Sequence, residues 1–345
     1  MKITFVLPAR GTSGGIRVTV KMAILLLAEG YDVRIVWHCP SIFSKEWLLI
    51  NCRTIAHRIM GFGETDWLKY FDGRIQSYND LAQINFDDGE IVIAVGTSTI
   101  EDVFNIKQPV IKIRYCHGFL SYMPELMKRV WSLPMNTITV SSTLVPMLEQ
   151  YSGDKVLDVV PNGLDTNEYY DEKLNRDGIG MIYSTHPSKR SVDVIKLIKS
   201  IHSRWPSLPL NLFGYPRRPR EISKKIYWRY PSVSQARQLY SRSKIWLITS
   251  QEEGFGLPAL EAMACGSAVI STDNLGSLEI IEHEKNGFLV PVGDIDGFMK
   301  YIDFLLHHEE KRIQLVNESK EVLKRFTWEK AVKKMEDVLR SVAAN

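Results

Sequence analysis

Short runs of β-branched and other apolar residues alternate with helical patterns from one end of the chain to the other. In the first half these runs predict strands at 3–7, 32–37, 91–95, 110–116, 137–140 and 158–160. In the second half they recur at 180–184, 210–213, 244–249, 268–271 and 288–290. Strands that alternate with helices are typical of parallel sheets with crossover connections. The pattern therefore predicts an α/β chain made of two doubly wound units in tandem.

The chain has 345 residues, which is more than one hydrophobic core usually supports. Turn formers at 161–165 and a polar stretch at 166–177 separate the two sets of strands. We therefore predict an N-terminal domain of residues 1–165 and a C-terminal domain of residues 166–327. The last segment, 328–345, has apolar residues at helical spacing, and we expect it to pack back on the N-terminal domain.

Composition excludes several classes of protein. The 43 Lys and Arg residues nearly balance the 40 Asp and Glu residues, so the basic footprint of a nucleic-acid-binding protein is absent. Cys39, Cys52, Cys116 and Cys265 are scattered without a C-x-x-C pair, which gives no support to a zinc ribbon or a disulfide scaffold. No apolar run approaches the roughly 20 residues of a membrane span. We expect a cytoplasmic protein, in solution or in peripheral contact with the inner face of the membrane.

The segment 244–271 carries the most informative motif. A predicted buried strand ends near Ser250, and Pro258 then opens a helix that Gly266 closes. The backbone N–H groups of Gly256 and Leu257 would lie at the positive end of that helix, and Gly256 has no side chain to block a ligand. This geometry predicts a site for a diphosphate.

Two carboxylates bracket this loop. Glu261 lies one turn into the predicted helix and leans back toward its N-terminus, where it can accept hydrogen bonds from both hydroxyls of a ribose. Glu253 stands at the carboxyl edge of the strand, where open α/β sheets bind ligands, and would face the sugar at the other end of the diphosphate. A single Glu is usually a solvated surface residue. The glycines and the proline at matching positions favour the functional interpretation for both.

The segment Glu253-Gly-Phe-Gly-Leu-Pro-Ala-Leu-Glu261 resembles the E-x7-E motif of the family-4 retaining glycosyltransferases, which have the GT-B fold. The similarity continues through Glu279-Ile-Ile, Asn286-Gly-Phe-Leu-Val and Pro291-Val-Gly-Asp294, and it includes Val160-Pro-Asn-Gly-Leu-Asp165. It is dense over residues 244–294 and thinner before residue 110. The resemblance implies two Rossmann-like, doubly wound parallel-sheet domains that face a cleft.

The resemblance also implies an activity: transfer of a sugar of hexosyl type, with retention, from a nucleoside-diphosphate sugar to an acceptor hydroxyl. Glu261 would bind the ribose, Glu253 would lie beside the donor sugar, and the loop of Gly254, Phe255, Gly256 and Leu257 would face the phosphates. The acceptor would be a glycan or a lipid-linked molecule held by the N-terminal domain, in surface polysaccharide or glycoconjugate synthesis. The donor is a substrate, so no separate cofactor is expected, and no metal is needed where helix N–H groups and a Lys or Arg face the phosphates.

Two further candidates lie in the N-terminal domain. Gly14 and Gly15 follow the first strand and resemble the family's Gly-Gly loop near the donor phosphates and the acceptor; a plain strand-to-helix turn is the alternative. The G-x-G-x-x-G spacing of a dinucleotide fingerprint is absent, which disfavours a nicotinamide oxidoreductase. His117 ends a strand and resembles the family histidine that contacts the donor sugar, with a purely structural histidine as the alternative.

Lys189 follows the first strand of the C-terminal domain and resembles the lysine of the family's G-R-x-x-x-x-K-G pattern, which neutralises the departing diphosphate. This chain departs from the pattern in two places, because Ser184 stands at the Arg position and Arg190 replaces the Gly. Whether Lys189 or Arg190 neutralises the diphosphate stays open, and a solvated Lys-Arg pair is the alternative.

Asp294-Ile-Asp296 looks like a metal-binding D-x-D motif, but the apolar spacing that follows predicts a helix with Asp294 as its N-cap. The basic loop 217–225 could contact an anionic lipid or glycan, but a solvated loop is the favoured interpretation. Two other functions stay open: a GT-B nucleotide-sugar epimerase, and a non-catalytic relative that binds a sugar nucleotide or a glycan. The sequence fixes neither the base and sugar of the donor, nor the acceptor, nor the oligomeric state.

Overall fold

The structure, a computed structural model of the chain, describes residues 1–11, 13–40, 48 and 66–344. Cys52 lies outside these residues. The chain divides into two compact units: unit 1 is Met1–Gly163 with Trp328–Asn345, and unit 2 is Leu164–Thr327. Each unit contains a parallel sheet connected by helices, which confirms the predicted class of two Rossmann-like α/β domains. The boundary predicted from sequence follows Asp165, and the structural division follows Gly163.

Unit 1 begins with a seven-stranded parallel sheet in the order β3-β2-β1-β4-β5-β6-β7. Its strands are β1 (Lys2–Leu7), β2 (Asp32–His38), β3 (Arg74–Tyr78), β4 (Ile91–Val95), β5 (Ile111–Cys116), β6 (Asn136–Thr139) and β7 (Asp158–Val159). The described helices of this part are α1 (Gly14–Ala28), α2 (Ile100–Phe104), α3 (Pro124–Trp131) and α4 (Val145–Ser152).

Unit 2 repeats the plan with six parallel strands in the order β10-β9-β8-β11-β12-β13. Its strands are β8 (Gly178–Ile182), β9 (Leu210–Gly214), β10 (Tyr227–Arg229), β11 (Ser243–Ile248), β12 (Ala268–Thr272) and β13 (Phe288–Val290). Its helices are α5 (Ser191–Arg204), α6 (Val233–Arg242), α7 (Leu257–Ala264), α8 (Leu275–Ile280), α9 (Ile295–His307) and α10 (Glu309–Leu323).

The strand order positions the functional edge of each sheet. The central strands are apolar and fully buried, as in β4, where Ile91, Val92 and Ile93 have no exposed surface, and this is the pattern of a parallel sheet covered on both faces. In both units the order reverses beside the first strand, between β1 and β4 and between β8 and β11. Ligands of doubly wound sheets bind outside the carboxyl ends of the strands at such a switch point.

The last helix, α11 (Trp328–Ala344), belongs to unit 1. Its apolar residues, including Ala331, Met335 and Leu339, are buried, and Tyr31 in unit 1 donates a hydrogen bond of 2.9 Å to Glu336 Oε1. In the structure this helix thus packs within unit 1. Within the described part of the chain, no helix is both long enough and apolar enough to cross a lipid bilayer.

Candidate active site

The candidate site in unit 2 is built by three loops that follow neighbouring strands at its switch point. The loop 183–190 follows β8, the loop 249–256 follows β11, and Asp273 and Asn274 follow β12. Because parallel strands end at the same edge of the sheet, these loops lie together there. Two of these loops carry predicted features of the site. Lys189 lies on the first loop, and the second carries Glu253 and leads into the N-terminus of α7.

Lys189 and Glu253 form the central contact of this edge. The Lys189 ammonium forms an ion pair with Glu253 Oε1, although 64 residues separate them in the chain. The Lys189 side chain is 32% exposed and the Glu253 side chain 11% exposed, so the cation retains a face toward solvent. A cavity of about 40 Å³ lies beside the pair and is lined by both residues together with Ser184, Ser250 and Pro258.

Glu253 is held by a buried polar network. Ser250 Oγ donates a hydrogen bond of 2.7 Å to Glu253 Oε1. The carbonyl of Ser250 in turn accepts from Thr272 Oγ1 and from Asn274 Nδ2, the latter at 3.4 Å. Asn274 also caps α8 by accepting from the backbone N–H of Ser277 at 2.9 Å. The ends of β11 and β12 are thus fastened to each other directly behind the carboxylate.

The turn into α7 is built from two glycines and a proline. Gly256 is the N-cap and has φ of +89°, a conformation that side chains with a Cβ rarely adopt. Pro258 is the second helical residue, where the missing N–H costs no hydrogen bond. The neighbouring Gly276 donates its N–H to Glu253 O at 2.9 Å, and a Cβ there would lie 2.8 Å from Glu253 Cβ. The two backbones pack directly against each other, which fixes the loop that bears Glu253.

Glu261 faces the interior of unit 2 and is only 8% exposed. Its Oε2 accepts a hydrogen bond of 2.9 Å from the hydroxyl of Tyr240, a fully buried residue of α6. Burial and the adjacent carboxylate raise the pKa of Tyr240 far above its usual range, so the hydroxyl keeps its proton and donates. The Tyr240 hydroxyl therefore orients one oxygen of the carboxylate predicted to bind the ribose.

Arg190 lies next to Lys189 but is directed elsewhere. Its Nε pairs with Asp193, whose side chain is almost completely buried in the first turn of α5, and its NH1 lies 3.5 Å from Gln251 Oε1. Arg190 also has a left-handed backbone with φ of +46°. The contact of Arg190 Nε with Asp193 helps to hold the loop in place. That Arg190 binds a diphosphate stays a prediction.

The candidate residues of unit 1 meet at the carboxyl end of its own sheet. Gly14 and Gly15 open α1, and a Cβ on Gly15 would lie 3.9 Å from Cβ of His117 at the end of β5. The His117 ring packs on Tyr115 with centroids 4.2 Å apart, and both of its nitrogens are buried with no hydrogen-bond partner among the described residues. Burial lowers the pKa of His117 to about 4, so the ring is neutral at pH 7.

Two sequence interpretations outside the site can be compared with the structure. Asp294 caps α9 by accepting from the N–H of Gly297 at 2.8 Å, which confirms the N-cap. In the basic loop, Arg218 donates to the carbonyls of Pro219 and Ile222 and so closes the loop on itself.

Sequence reasoning missed the residues that support the site. Ser250, Thr272, Asn274 and Gly276 carry no motif of their own. Apart from the local bond of Ser250 with Glu253, their role arises from contacts between the ends of β11 and β12, which lie more than 20 residues apart. Tyr240 could have been suspected only from its position on a helix of mixed polarity. The available signal was topological: residues just after adjacent parallel strands meet at one edge.

Two comparisons with known proteins concern the fold and the segment that carries the candidate site. Residues 186–322 match the family described as Glycosyl transferases group 1, and this segment contains Lys189, Glu253 and Glu261. The solved structure of Anabaena Alr3699/HepE in complex with UDP and glucose has a TM-score of 0.75 and 17% identity, with 99% of this chain and 100% of that chain covered. The family match covers residues 186–322 only, and the structural similarity shows a shared fold.

Curated relatives match parts of the chain at higher identity. N-acetyl-alpha-D-glucosaminyl L-malate synthase of Bacillus anthracis is 26% identical over 275 residues, which cover 78% of this chain and 65% of the relative. A probable sucrose-phosphate synthase of Thermosipho melanesiensis is 29% identical over 224 residues, covering 56% of this chain and 52% of the relative. The chain thus spans about half to two thirds of the length of these two curated relatives, and another relative is matched over only 29% of its length.

Proposed function

We propose that this protein is a retaining glycosyltransferase of the family-4 type, in which Glu253 and Glu261 form the E-x7-E motif. It transfers a hexosyl group from a nucleoside-diphosphate sugar to an acceptor hydroxyl. The observation that carries the proposal is the pairing of Lys189 with Glu253 beside the N-terminus of α7, at the switch point of the unit 2 sheet. Lys189, Glu253 and α7 belong to the segment that matches group 1 glycosyl transferases.

The donor is bound by unit 2 in this proposal. The first N–H groups of α7 face the diphosphate, and each charge near a helix N-terminus gains about 0.3–1 kcal/mol, up to ~2 kcal/mol when partly buried. The loop of Gly254, Phe255 and Leu257 shapes this anion site. Glu261, oriented by Tyr240, accepts from the ribose hydroxyls. Binding therefore draws on backbone dipoles for the phosphates and on a fixed carboxylate for the nucleoside.

The chemistry separates a cationic sugar from a diphosphate anion. Lys189 is the better placed cation to stabilise that anion, since Arg190 is engaged with Asp193. When the diphosphate binds, Lys189 shares its charge with the phosphate oxygens, and the Glu253 carboxylate lies beside the sugar, where positive charge develops. A preorganised donor at such a position contributes roughly 2.7–4 kcal/mol to transition-state stabilisation.

Unit 1 holds the acceptor in this proposal, with Gly14 and Gly15 allowing close approach and His117 contacting a sugar as a neutral ring. A glycan or a lipid-linked acceptor, used in surface polysaccharide or glycoconjugate synthesis in the cytoplasm, fits the resemblance best. The unpartnered nitrogens of His117 support the assignment, because buried polar atoms normally find a hydrogen-bond partner. A sugar hydroxyl would supply one.

Thermal shift with UDP-, GDP- and dTDP-sugars tests donor binding. A ligand at 100 times its Kd stabilises the folded protein by about 2.7 kcal/mol. The UDP series comes first because Alr3699/HepE was solved with UDP. No shift with any nucleotide sugar would contradict the proposal.

Product analysis then separates the three candidate functions. A new glycoside whose anomeric configuration matches that of the donor, read by proton NMR, is expected in the presence of acceptor. Epimerised donor in the absence of acceptor would identify an epimerase, and binding without turnover would identify a non-catalytic relative. Turnover should survive EDTA, because the proposal assigns the leaving group to Lys189 and to helix N–H groups.

A further inference from the structure

The loop that carries Lys189 contains a second polar group that the proposed function does not use. His186 lies three residues before Lys189, at the start of the short 3-10 turn Pro187–Lys189 that follows β8. Its backbone N–H is fastened to Ser184 Oγ at 3.2 Å, and the backbone N–H of Lys189 returns to the carbonyl of His186 at 2.9 Å. The two side chains are therefore held in one tight turn at the switch-point edge.

The hydrogen bonds of the His186 ring define its tautomer. Nδ1 accepts from the backbone N–H of Ser188 at 3.4 Å and lies 2.8 Å from Ser188 Oγ. A backbone N–H can only donate, so Nδ1 must be the unprotonated nitrogen of the neutral ring. The proton is therefore on Nε2, and the far side of the ring is an N–H donor.

The charges around the ring keep it in this neutral form. Burial lowers the pKa of His186, the Lys189 ammonium lowers it further, and the Glu253 carboxylate acts in the opposite direction. Ser188, which contacts the ring, also accepts the backbone N–H of Gln251 at 2.7 Å through its carbonyl, so the turn lies against the loop that carries Glu253.

The other cation of the loop, Arg190, is bound through its Nε to an acidic side chain. Arg190 is engaged with Asp193, and the residue at 184 is a serine whose hydroxyl accepts from the loop backbone. A diphosphate has several anionic oxygens, which can accept further hydrogen bonds beside those from Lys189 and from the N–H groups at the start of α7.

We propose that His186, as the neutral Nε2–H tautomer, donates a hydrogen bond to the leaving diphosphate beside Lys189. This inference rests on the proposed function and adds to it a second side chain that binds the leaving group. In this arrangement Ser188 sets the tautomer, the 3-10 turn sets the position of the ring, and Lys189 supplies the charge.

Two substitutions of His186 test the roles of its two ring nitrogens separately. His186→Asn retains an oxygen close to the position of Nδ1, and Asn is a preferred N-cap residue, but it has no donor at the position of Nε2. His186→Gln loses the near acceptor and extends an amide N–H toward the position of Nε2. Lys189→Ala serves as the reference for loss of a group that binds phosphate.

Calorimetric titration of the full-length protein with inorganic pyrophosphate, UDP and uridine provides the readout. We expect His186→Asn to weaken pyrophosphate and UDP at least tenfold, in line with hydrogen bonds to charged groups, and to leave uridine unchanged. His186→Gln should recover most of the affinity for pyrophosphate. If a different base is preferred, GDP or dTDP with its nucleoside replaces UDP and uridine.

Each outcome bears on one of the two proposals. If Lys189→Ala weakens pyrophosphate and His186→Asn does not, the role of His186 is wrong and the proposed function stands. Equal losses for uridine and pyrophosphate in His186→Asn would show a structural effect only and would also overturn it. If neither pyrophosphate nor any nucleoside diphosphate binds the wild-type protein, both proposals fail together.

Discussion

Lys189 and Glu253 form an ion pair in the structure, so in the proposed function a diphosphate would compete with the Glu253 carboxylate for the lysine. The lysine gains most when the leaving group carries its full negative charge, which is late in the bond cleavage. An interaction that strengthens toward the transition state lowers kcat when it is removed, whereas uniform binding alters KM.

We therefore expect Lys189→Ala to lower kcat by about 100- to 1,000-fold, the effect of losing one preorganised donor. Steady-state kinetics at saturating donor measures it. Lys155→Ala is the matched control, because Lys155 forms a similar ion pair with Glu149 on the exposed surface of unit 1. Unchanged turnover in Lys189→Ala would remove this lysine from the mechanism.

His117 provides a residue-scale test by pH. Its pKa is about 4 in the folded protein, below the ordinary value of about 6.5 that the unfolded chain should have. Between these values the unfolded state binds the proton more readily, so stability falls as pH is lowered from about 6.5 to about 4. The expected loss is on the order of 3 kcal/mol at most.

Two measurements check this expectation. NMR should give a His117 midpoint near 4, and the free energy of unfolding of His117→Leu should depend less on pH across the same range. A midpoint near 6.5 would contradict the burial of the ring.

At the scale of elements, the hydrophobic pattern predicted the central strands closely and missed two strands at sheet edges. β4 was predicted at its observed bounds, Ile91–Val95, whereas β3 (Arg74–Tyr78) and β10 (Tyr227–Arg229) were not predicted. Four of the five residues of β3 are exposed, so it has no apolar run, and β10 has only three residues. Edge strands are paired on one side and need less apolar surface, which is why sequence pattern misses them.

The site was predictable to the extent that its residues lie next to strand ends. Local signals at Gly256 and Pro258 predict the turn into α7 and its place at the carboxyl edge of the sheet. The contact of Glu261 with Tyr240 depends on tertiary packing. The contact of Arg190 with Asp193 depends on the left-handed backbone of Arg190. Neither contact leaves a periodic signal in the sequence.

The turn into α7 gives an element-scale prediction. Gly256→Ala places a Cβ at φ of +89° and 3.1 Å from the carbonyl of Gly276, so it should strain the loop and displace the helix N-terminus. We expect a loss of about 1–2 kcal/mol in stability from the left-handed backbone and, in addition, loss of UDP binding. Thermal unfolding and titration measure the two effects.

Gly30→Ala is the control for this substitution. Gly30 has φ of +88° with no atom within 4 Å of the added Cβ, and it lies in unit 1. It should reproduce the stability loss with normal nucleotide affinity. Equal affinity in both variants would argue against an anion site at the turn.

At the scale of the whole molecule, unit 2 is one continuous segment, whereas unit 1 is assembled from two. The isolated segment 164–327 should therefore fold alone and bind UDP with nearly the affinity of the full chain. Circular dichroism and calorimetry test this directly. The segment 1–163 lacks α11 and exposes the surface that Met335 and Leu339 cover, so it should be less stable than unit 1 in the full chain. Failure of 164–327 to fold would show that unit 2 depends on the rest of the chain.

The two places where the chain passes between the units are close together. Leu164 donates its N–H to the carbonyl of Phe326 at 2.9 Å and forms a parallel bridge with Thr327, so the first and last residues of unit 2 are neighbours. A short linker could join Leu164 to Thr327 in a circular permutant of unit 2. A homologous unit whose two ends are equally close together could also replace residues 164–327. Chimeras built there would exchange unit 2 as a whole while the sheet of unit 1 stayed intact.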